Sequence, residues 1–318
     1  MALDRISMEA ELSLGPVLYN WPTEELRDFY FRIADKAPLS RAYLGEVVCS
    51  KRTPFFTRYL PEVLARLESD DKEVVHSTLA LIMNEGEMVA VCSLADTPDI
   101  MIEANDIGSA GLVAGRPHVI DPFVNVYNEG TLDFLTCQGS SLVSLPWELP
   151  VPVIAGLTAA ATIPLEVQVF GRIPLAISAR CYHARKLGLH KDGCQLVCAE
   201  DPDGMAVETL DGESFLAVNG TQTLTHTIGV LLPELANLQA MGIQNFRLWA
   251  QTVDMVAVVQ IYRDLLDGQK SLEDAWHRLE EVAGFAPFSN GFYHGEEGGV
   301  ALLPSNEFAV LHSSVTQK

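Results

Sequence analysis

Short apolar runs alternate with amphipathic segments along most of this chain. The runs are four to nine residues long, which suits strands of a sheet that helices cover on its faces. Between them, segments such as Glu24–Lys36 and Glu129–Cys137 have the length and periodicity of helices. The predicted strands are Leu14–Tyr19, Ala42–Val48, Val74–Ile82, Ile100–Ala104, His118–Val124, Leu142–Leu145 and Leu165–Phe170.

This order of elements predicts an α/β fold with a parallel sheet, and it favours a (β/α)8 TIM-barrel-like fold over a doubly wound sheet. After the seventh strand the alternation stops and a long irregular segment follows. Further strands are predicted at Phe215–Val218 and Phe246–Ala250, so closure by an eighth strand is inferred. Because no Pro/Gly/Ser linker divides the chain, we predict one barrel-like domain over residues 1–318. It has an N-terminal extension (1–11), a cysteine-bearing insertion (171–213) and a variable tail (296–318).

Four of the six cysteines are candidates for one metal centre. Cys181, Cys194 and Cys198 lie in the insertion, and Cys49 follows the second predicted strand. The basic segment between Cys181 and Cys194 favours thiolates, which are the form that binds metals. Four thiolates fit either tetrahedral zinc or a [4Fe–4S] cluster. Because only Cys194 and Cys198 form a close pair, the spacing favours the cluster slightly and leaves zinc open.

Polar side chains gather where the predicted strands end, on the face of a barrel that carries active sites. Each of them could be a turn residue or a helix cap, but their number on one face favours a site. The possible substrate-facing set is Glu46, Asn125, Glu148, Glu166 and Asn219. The histidines of the insertion, His183 and His190, are predicted to support the cysteines or to face solvent.

The chain has 42 acidic and 21 basic residues and a formal net charge of −21. This charge argues against a nucleic-acid partner, because binding a phosphate backbone requires clustered Lys and Arg. No apolar run approaches the ~18 residues of a membrane-spanning helix, and the first residues lack the features of a secretory signal. We therefore expect a cytoplasmic protein without disulfides, in which Cys92 and Cys137 serve packing.

Three segments resemble the peptidase U32 family. They are YLGEVVCSKR (Tyr43–Arg52), the stretch Glu166–Cys198 with its core FGRIPLAISARCYHAR, and FLAVNGTQT (Phe215–Thr223). Within the family they are similar to the V-type subunits of an oxygen-independent ubiquinone hydroxylation pair. The resemblance covers about residues 12–295, nearly the whole chain.

The resemblance implies a barrel-like fold and one [4Fe–4S] cluster held by Cys49, Cys181, Cys194 and Cys198. It also implies a heterodimer with a U-type paralogue, a sterol-carrier-type lipid-binding partner, and hydroxylation of ubiquinone precursors without O2. Peptidase activity is not expected, because cysteines that hold a cluster cannot act as nucleophiles. Two alternatives remain open: a metal-stabilised interaction subunit holding zinc or a cluster, and a U32-type RNA-modifying hydroxylase.

Overall fold

Eight parallel strands form a closed barrel in the computed structural model, which describes residues 9–302. The described residues contain twelve strands in all, of which β1 to β7 and β11 form the barrel. They are β1 (Glu11–Leu14), β2 (Arg41–Leu44), β3 (Glu73–Ser77), β4 (Met101–Ala104), β5 (His118–Ile120), β6 (Ser140–Ser144), β7 (Leu165–Ile177), β8 (Met205–Glu208), β9 (Ser214–Asn219), β10 (Gln222–Val230), β11 (Asn245–Leu248) and β12 (Phe288–Ser289). Strands β1 to β7 are neighbours in chain order, and β11 pairs in parallel with both β1 and β7. The predicted (β/α)8 TIM-barrel-like fold is therefore confirmed, with β11 as the eighth strand.

Helices follow the barrel strands. They are α1 (Thr23–Lys36), α2 (Thr53–Phe56), α3 (Leu60–Glu68), α4 (Glu85–Ala95), α5 (Ile107–Leu112), α6 (Glu129–Cys137), α7 (Val151–Ala160), α8 (Tyr182–Lys186), α9 (Leu235–Met241), α10 (Met255–Leu266), α11 (Leu272–Ala283) and α12 (Gly291–His294). Side chains of Asn84, Asp106 and Asn128 accept backbone N–H groups at the starts of α4, α5 and α6. Such caps satisfy donors that a helix leaves free, and so they fix where these helices begin. No helix within residues 9–302 is long and apolar enough to span a membrane.

Several barrel strands end earlier than their apolar runs predict. β1 ends at Leu14 and β2 at Leu44, although the apolar runs continue for several residues. The continuing residues pack into an apolar cluster at the carboxyl end of the barrel. Its buried members are Leu18, Val47, Val48 and Trp249, and Cys49 packs against it. Burial in a loop therefore produced the same sequence pattern as burial in a strand.

An antiparallel extension leaves the barrel after β7. The second half of β7 pairs with β10, β10 pairs with β9, and β9 pairs with β8. The predicted strand Phe215–Val218 belongs to β9, and it lies in this extension outside the ring. The segment with Cys181, Cys194 and Cys198 connects β7 to β8 and is folded over the carboxyl end of the barrel, where Cys49 lies.

Charged side chains fill the interior of the barrel. Arg247 on β11 lies 2.7 Å from carboxylate oxygens of Glu103 on β4 and Glu166 on β7, and 3.2 Å from Asp121 after β5. Its guanidinium also lies 3.8 Å from the centre of the Tyr43 ring. All five residues are fully buried. Because β4 and β11 are not neighbours in the ring, these contacts cross an interior that branched aliphatic residues usually fill.

Candidate metal centre

The four candidate cysteines line one small cavity at the carboxyl end of the barrel. Cys49 follows β2, and Cys181 is the N-terminal cap of α8. Cys194 follows one short helical turn between α8 and β8, and Cys198 lies in a second. Cys92 and Cys137 lie on α4 and α6, away from this lining. The structure thus brings together thiols that are separated by up to 149 positions in the chain (198 − 49).

Glu46 shapes the loop that carries Cys49. Its Oε1 accepts hydrogen bonds from the backbone N–H groups of Val48, at 2.9 Å, and Cys49, at 2.8 Å. The same oxygen lies 3.7 Å from Nη1 of Arg52. Burial raises the pKa of Glu46, against the opposing attraction of Arg52. The carboxylate therefore holds the cysteine loop in place.

Arg52 is a buried cation beside the thiols. It is 5% exposed and lines the cysteine cavity. Its Nη1 donates to the carbonyl oxygen of Leu18 at 2.9 Å, and its Nη2 donates to Oδ1 of Asn219 at 2.8 Å. Nη2 also lies 3.7 Å from Sγ of Cys198. The predicted site residues did not include Arg52, and its place in YLGEVVCSKR three positions after Cys49 was the signal that could have found it.

Two asparagines hold the segment with Cys198. Nδ2 of Asn219 donates to the carbonyl oxygens of Cys198, at 2.9 Å, and Asp201, at 2.8 Å. Nδ2 of Asn20, after β1, donates to Sγ of Cys198 at 3.3 Å. Asn219 is fully buried, and its side chain bonds to the backbone of the segment with Cys198. It therefore supports the cysteine segment.

Cys181 is held from both sides. Its Sγ donates to the carbonyl oxygen of Gly220 at 3.3 Å and accepts the backbone N–H of Ala184 at 3.4 Å. Gly220 has a φ of +68°, and a Cβ at this position would lie 2.6 Å from Nη2 of Arg52. A glycine is therefore required here both by the backbone conformation and by the close approach of the guanidinium.

Positive charge surrounds the thiols. Besides Arg52, Lys191 lines the cavity, and the neighbouring Lys51 forms an ion pair with Asp192 at 2.9 Å. Burial raises the pKa of Cys49 and of Cys181, so without a metal these thiols hold their protons at neutral pH. Binding a metal would release those protons.

The donor set of four thiols fits a zinc ion or a [4Fe–4S] cluster in its chemistry. Among residues 9–302, no three Cys, His, Asp or Glu side chains are grouped as ligands of a single metal ion. His183 is buried, and its Nε2 lies 3.0 Å from a carboxylate oxygen of Asp201, whereas His190 is exposed. His183 therefore supports the same segment that Asn219 holds.

The five predicted substrate-facing residues lie in three separate places. Glu46 and Asn219 support the cysteine loops, and Glu166 is buried inside the barrel, where it contacts Arg247. Asn125 is exposed, with a φ of +63°, and Glu148 accepts a hydrogen bond from the hydroxyl of Tyr127. Asn125 and Glu148 both accept from the Tyr127 hydroxyl, so these three residues form a separate polar group beyond the ends of β5 and β6.

Comparison with known proteins adds two findings. Residues 21–301 match the model of a family described as Peptidase family U32. A chain in the crystal structure of the tryptophan synthase complex from Pyrococcus furiosus aligns with 87% of this chain and 100% of its own length, at 11% identity and a TM-score of 0.39.

Proposed function

The chain belongs to peptidase family U32, and we propose that it is the iron–sulfur subunit of a hydroxylase that acts on ubiquinone precursors without O2. One observation carries the proposal: four cysteines from two distant parts of the chain line a single cavity. The oxygen-independent hydroxylase branch, to which the motifs around Cys49 and Cys181 are similar, holds one [4Fe–4S] cluster through four cysteines.

The residues around the cavity have distinct roles in this proposal. Cys49, Cys181, Cys194 and Cys198 would bind the iron atoms, and a bound [4Fe–4S] cluster would supply one-electron transfer. Arg52 and Lys191 offset the negative charge of four thiolates. Glu46 fixes the loop with Cys49, and Asn20 and Asn219 fix the segment with Cys198.

We further propose that the subunit works as a heterodimer with a U-type paralogue and receives its substrate from a sterol-carrier-type lipid-binding protein. An exposed apolar face supports a protein partner: Met88 and Val89 on α4 and Ile107 and Leu112 on α5 are all exposed, and the two helices contact each other. The net charge of −21 disfavours the RNA-modifying alternative.

The metal content of protein purified without oxygen tests the proposal. We expect a broad visible absorption band with about four irons and four sulfides per chain. A variant with serine at Cys181, Cys194 and Cys198 should lose the band and the iron. A control with serine at the two cysteines outside the cavity, Cys92 and Cys137, should keep both. One zinc per chain and no colour would instead assign the thiols to a structural metal.

The substitution Cys49→Ala separates a redox subunit from a metal-stabilised interaction subunit. If the metal serves electron transfer, the variant should remain folded and lose hydroxylation in the presence of both partners. If the metal only supports folding and docking, the variant should be insoluble or fail to bind the paralogue. Circular dichroism, co-purification with the paralogue and product analysis distinguish the two outcomes.

A further inference from the structure

The short helix α8 presents a basic face beside the cysteine cavity. Tyr182, Arg185 and Lys186 are spaced three and four positions apart, so they lie on one side of the helix, and all three are exposed. His183 and Ala184 lie on the opposite side and are buried. With the exposed residues that flank the helix they form a surface that we call the α8 patch: Arg180, Tyr182, Arg185, Lys186 and Leu187.

The cations of the α8 patch have no carboxylate partner. Within the part of the chain that the structure describes, the side chains of Arg180, Arg185 and Lys186 form no ion pair and no hydrogen bond. For comparison, the exposed Arg58 and Arg66 each lie 2.7 Å from a carboxylate oxygen. Acidic residues outnumber basic ones by 42 to 21 in this chain, so partners are plentiful elsewhere. Three neighbouring cations are therefore free to attract an acidic partner.

The cysteine site holds the α8 patch in place. Cys181 caps the start of α8, where its Sγ accepts the backbone N–H of Ala184 at 3.4 Å. On the buried side of the helix, Nε2 of His183 lies 3.0 Å from a carboxylate oxygen of Asp201. The helix is thus anchored to residues that line or support the cysteine cavity. A partner bound to the patch would lie directly beside the thiols.

The composition of the patch is typical of a protein interface. Tyrosine and arginine are enriched among the residues that dominate binding energy, and here Tyr182 and Leu187 are 44% and 50% exposed among the cations. A membrane or a nucleic acid would extend past the patch onto exposed carboxylates of the same segment, such as Asp192 and Glu200. A compact acidic protein can cover the patch alone, as in the small interfaces of electron-transfer complexes.

We propose that the α8 patch docks a compact acidic protein that carries a one-electron redox group. The docking stands on the charge and position of the patch, and only the redox character of the partner rests on the proposed function. In the complex the reduced carrier would lose one electron and the metal centre would gain it, with no bond formed or broken. This partner is distinct from the two proposed above, because it is recognised by the basic face beside the thiols and not by the apolar face of α4 and α5.

Binding of an acidic plant-type ferredoxin to the full chain, purified without oxygen, tests the docking. Titration calorimetry should detect saturable binding at low salt that weakens as salt is added, because exposed charges are screened. The double substitution Arg185→Glu and Lys186→Glu should weaken binding at low salt about tenfold or more, since it places like charges opposite each other. Glutamine at both positions removes the charge without reversing it and should give a smaller loss.

Two distant lysines provide the matched control. Lys36 ends α1 and Lys270 follows α10, so both lie at the end of the barrel opposite the cysteines. Both are exposed, and neither forms an ion pair among the described residues. The double substitution Lys36→Glu and Lys270→Glu changes the net charge by the same amount and should change ferredoxin binding by less than about twofold.

An aromatic substitution separates docking from a general attraction of charges. Tyr182→Ala leaves the net charge unchanged and should weaken binding about fivefold. Phe134→Ala, which removes a similarly exposed ring on α6, should not. Absence of saturable binding, equal losses in the two charge-reversed variants, or equal losses in the two alanine variants would overturn the docking. So would binding of an RNA oligonucleotide or of anionic vesicles through the patch in place of the ferredoxin.

Metal content and electron transfer separate this assignment from the proposed function. Reduced ferredoxin should bleach the visible band of a chain with iron and sulfide, and it should do so more slowly after charge reversal at Arg185 and Lys186 than after charge reversal at Lys36 and Lys270. Patch-dependent binding by a chain that holds only zinc would contradict the redox function and leave the docking face. A chain with iron and sulfide but without patch-dependent binding would overturn the docking alone.

Discussion

Single buried side chains hold the cysteine site together, and Arg52 does so most clearly. Its guanidinium contacts the carbonyl of Leu18, the side chain of Asn219 and Sγ of Cys198, which come from three separate segments. A guanidinium presents several N–H groups in fixed directions, so it can contact all three partners at once. Lysine could not replace it, because its single ammonium group cannot reach all three. Arg52 thus links the loops that carry the first and last of the four thiols.

Removal of this guanidinium should destabilise the protein strongly. Arg52→Met removes the cation beside the buried Glu46 carboxylate and the guanidinium that donates to Oδ1 of the buried Asn219, so we expect the free energy of unfolding to fall by about 3–5 kcal/mol. Denaturant unfolding measures the change. Arg58→Met is the control, because Arg58 pairs with Glu24 on the surface, and it should change stability little. Similar losses in the two variants would contradict the role assigned to Arg52.

At the scale of elements, the antiparallel extension after β7 delivers two residues to the site. Its β9–β10 turn carries Asn219 and Gly220, which contact the cysteine segment and Arg52. The register of β9 and β10 pairs Asn219 with Gln222 across this turn. The extension therefore acts as a support for the metal centre, although it lies outside the barrel ring.

The turn can be tested with two alanine substitutions. Gly220 and Gly212 both have positive φ values, +68° and +86°, but only the Cβ of Gly220 would meet another atom, Nη2 of Arg52 at 2.6 Å. Both substitutions share the backbone penalty, and overpacking against Arg52 should make Gly220→Ala less stable than Gly212→Ala by about 1–3 kcal/mol. Thermal unfolding measures the difference. Equal stabilities would show that Arg52 moves aside without cost.

At the scale of the whole molecule, the barrel encloses more negative than positive charge. Arg247 faces the three carboxyl groups of Glu103, Asp121 and Glu166. Burial would raise the pKa of Glu166, but Arg247 and Arg41 outweigh it and hold this pKa below its usual range. Burial and the neighbouring Glu103 raise the pKa of Asp121 well above its usual range. The interior therefore retains a proton on Asp121 at pH values where an unfolded chain has released it.

The retained proton makes stability depend on pH. A carboxyl group with a raised pKa in the folded state contributes stability that is lost as pH rises toward that pKa. The net charge of −21 acts in the same direction. We expect the free energy of unfolding to be lower at pH 8 than at pH 6, and Asp121→Asn to reduce this difference because asparagine stays neutral.

A surface substitution separates the two causes of this pH dependence, which are the retained proton on Asp121 and the net negative charge. Asp133→Asn on α6 removes one exposed negative charge and should leave most of the pH dependence in place. Denaturant unfolding at both pH values, with and without added salt, measures the slopes, and salt should weaken only the contribution of net charge. A pH dependence that is equal in the two variants would contradict the retained proton on Asp121.

The sequence by itself determined the fold class, because the alternation of apolar runs and amphipathic segments is a local property that burial imposes on each element. It also indicated which cysteines are candidate metal ligands, because the motifs around Cys49 and Cys181 can be recognised within short segments of the sequence. It placed the ends of several strands too late, because buried loop residues such as Val47 and Val48 are as apolar as strand residues. It ended β7 too early, at Phe170, although this strand continues to Ile177.

Only the tertiary structure decided how distant residues meet. It made β11 the eighth barrel strand and placed Phe215–Val218 outside the ring, which no local pattern distinguishes. It buried Glu166 against Arg247, 81 positions away, and joined Arg52 to Asn219, 167 positions away. These contacts depend on pairing between strands and loops far apart in the chain. Such pairing is fixed by packing of the whole barrel, so the spacing of residues along the sequence could not reveal it.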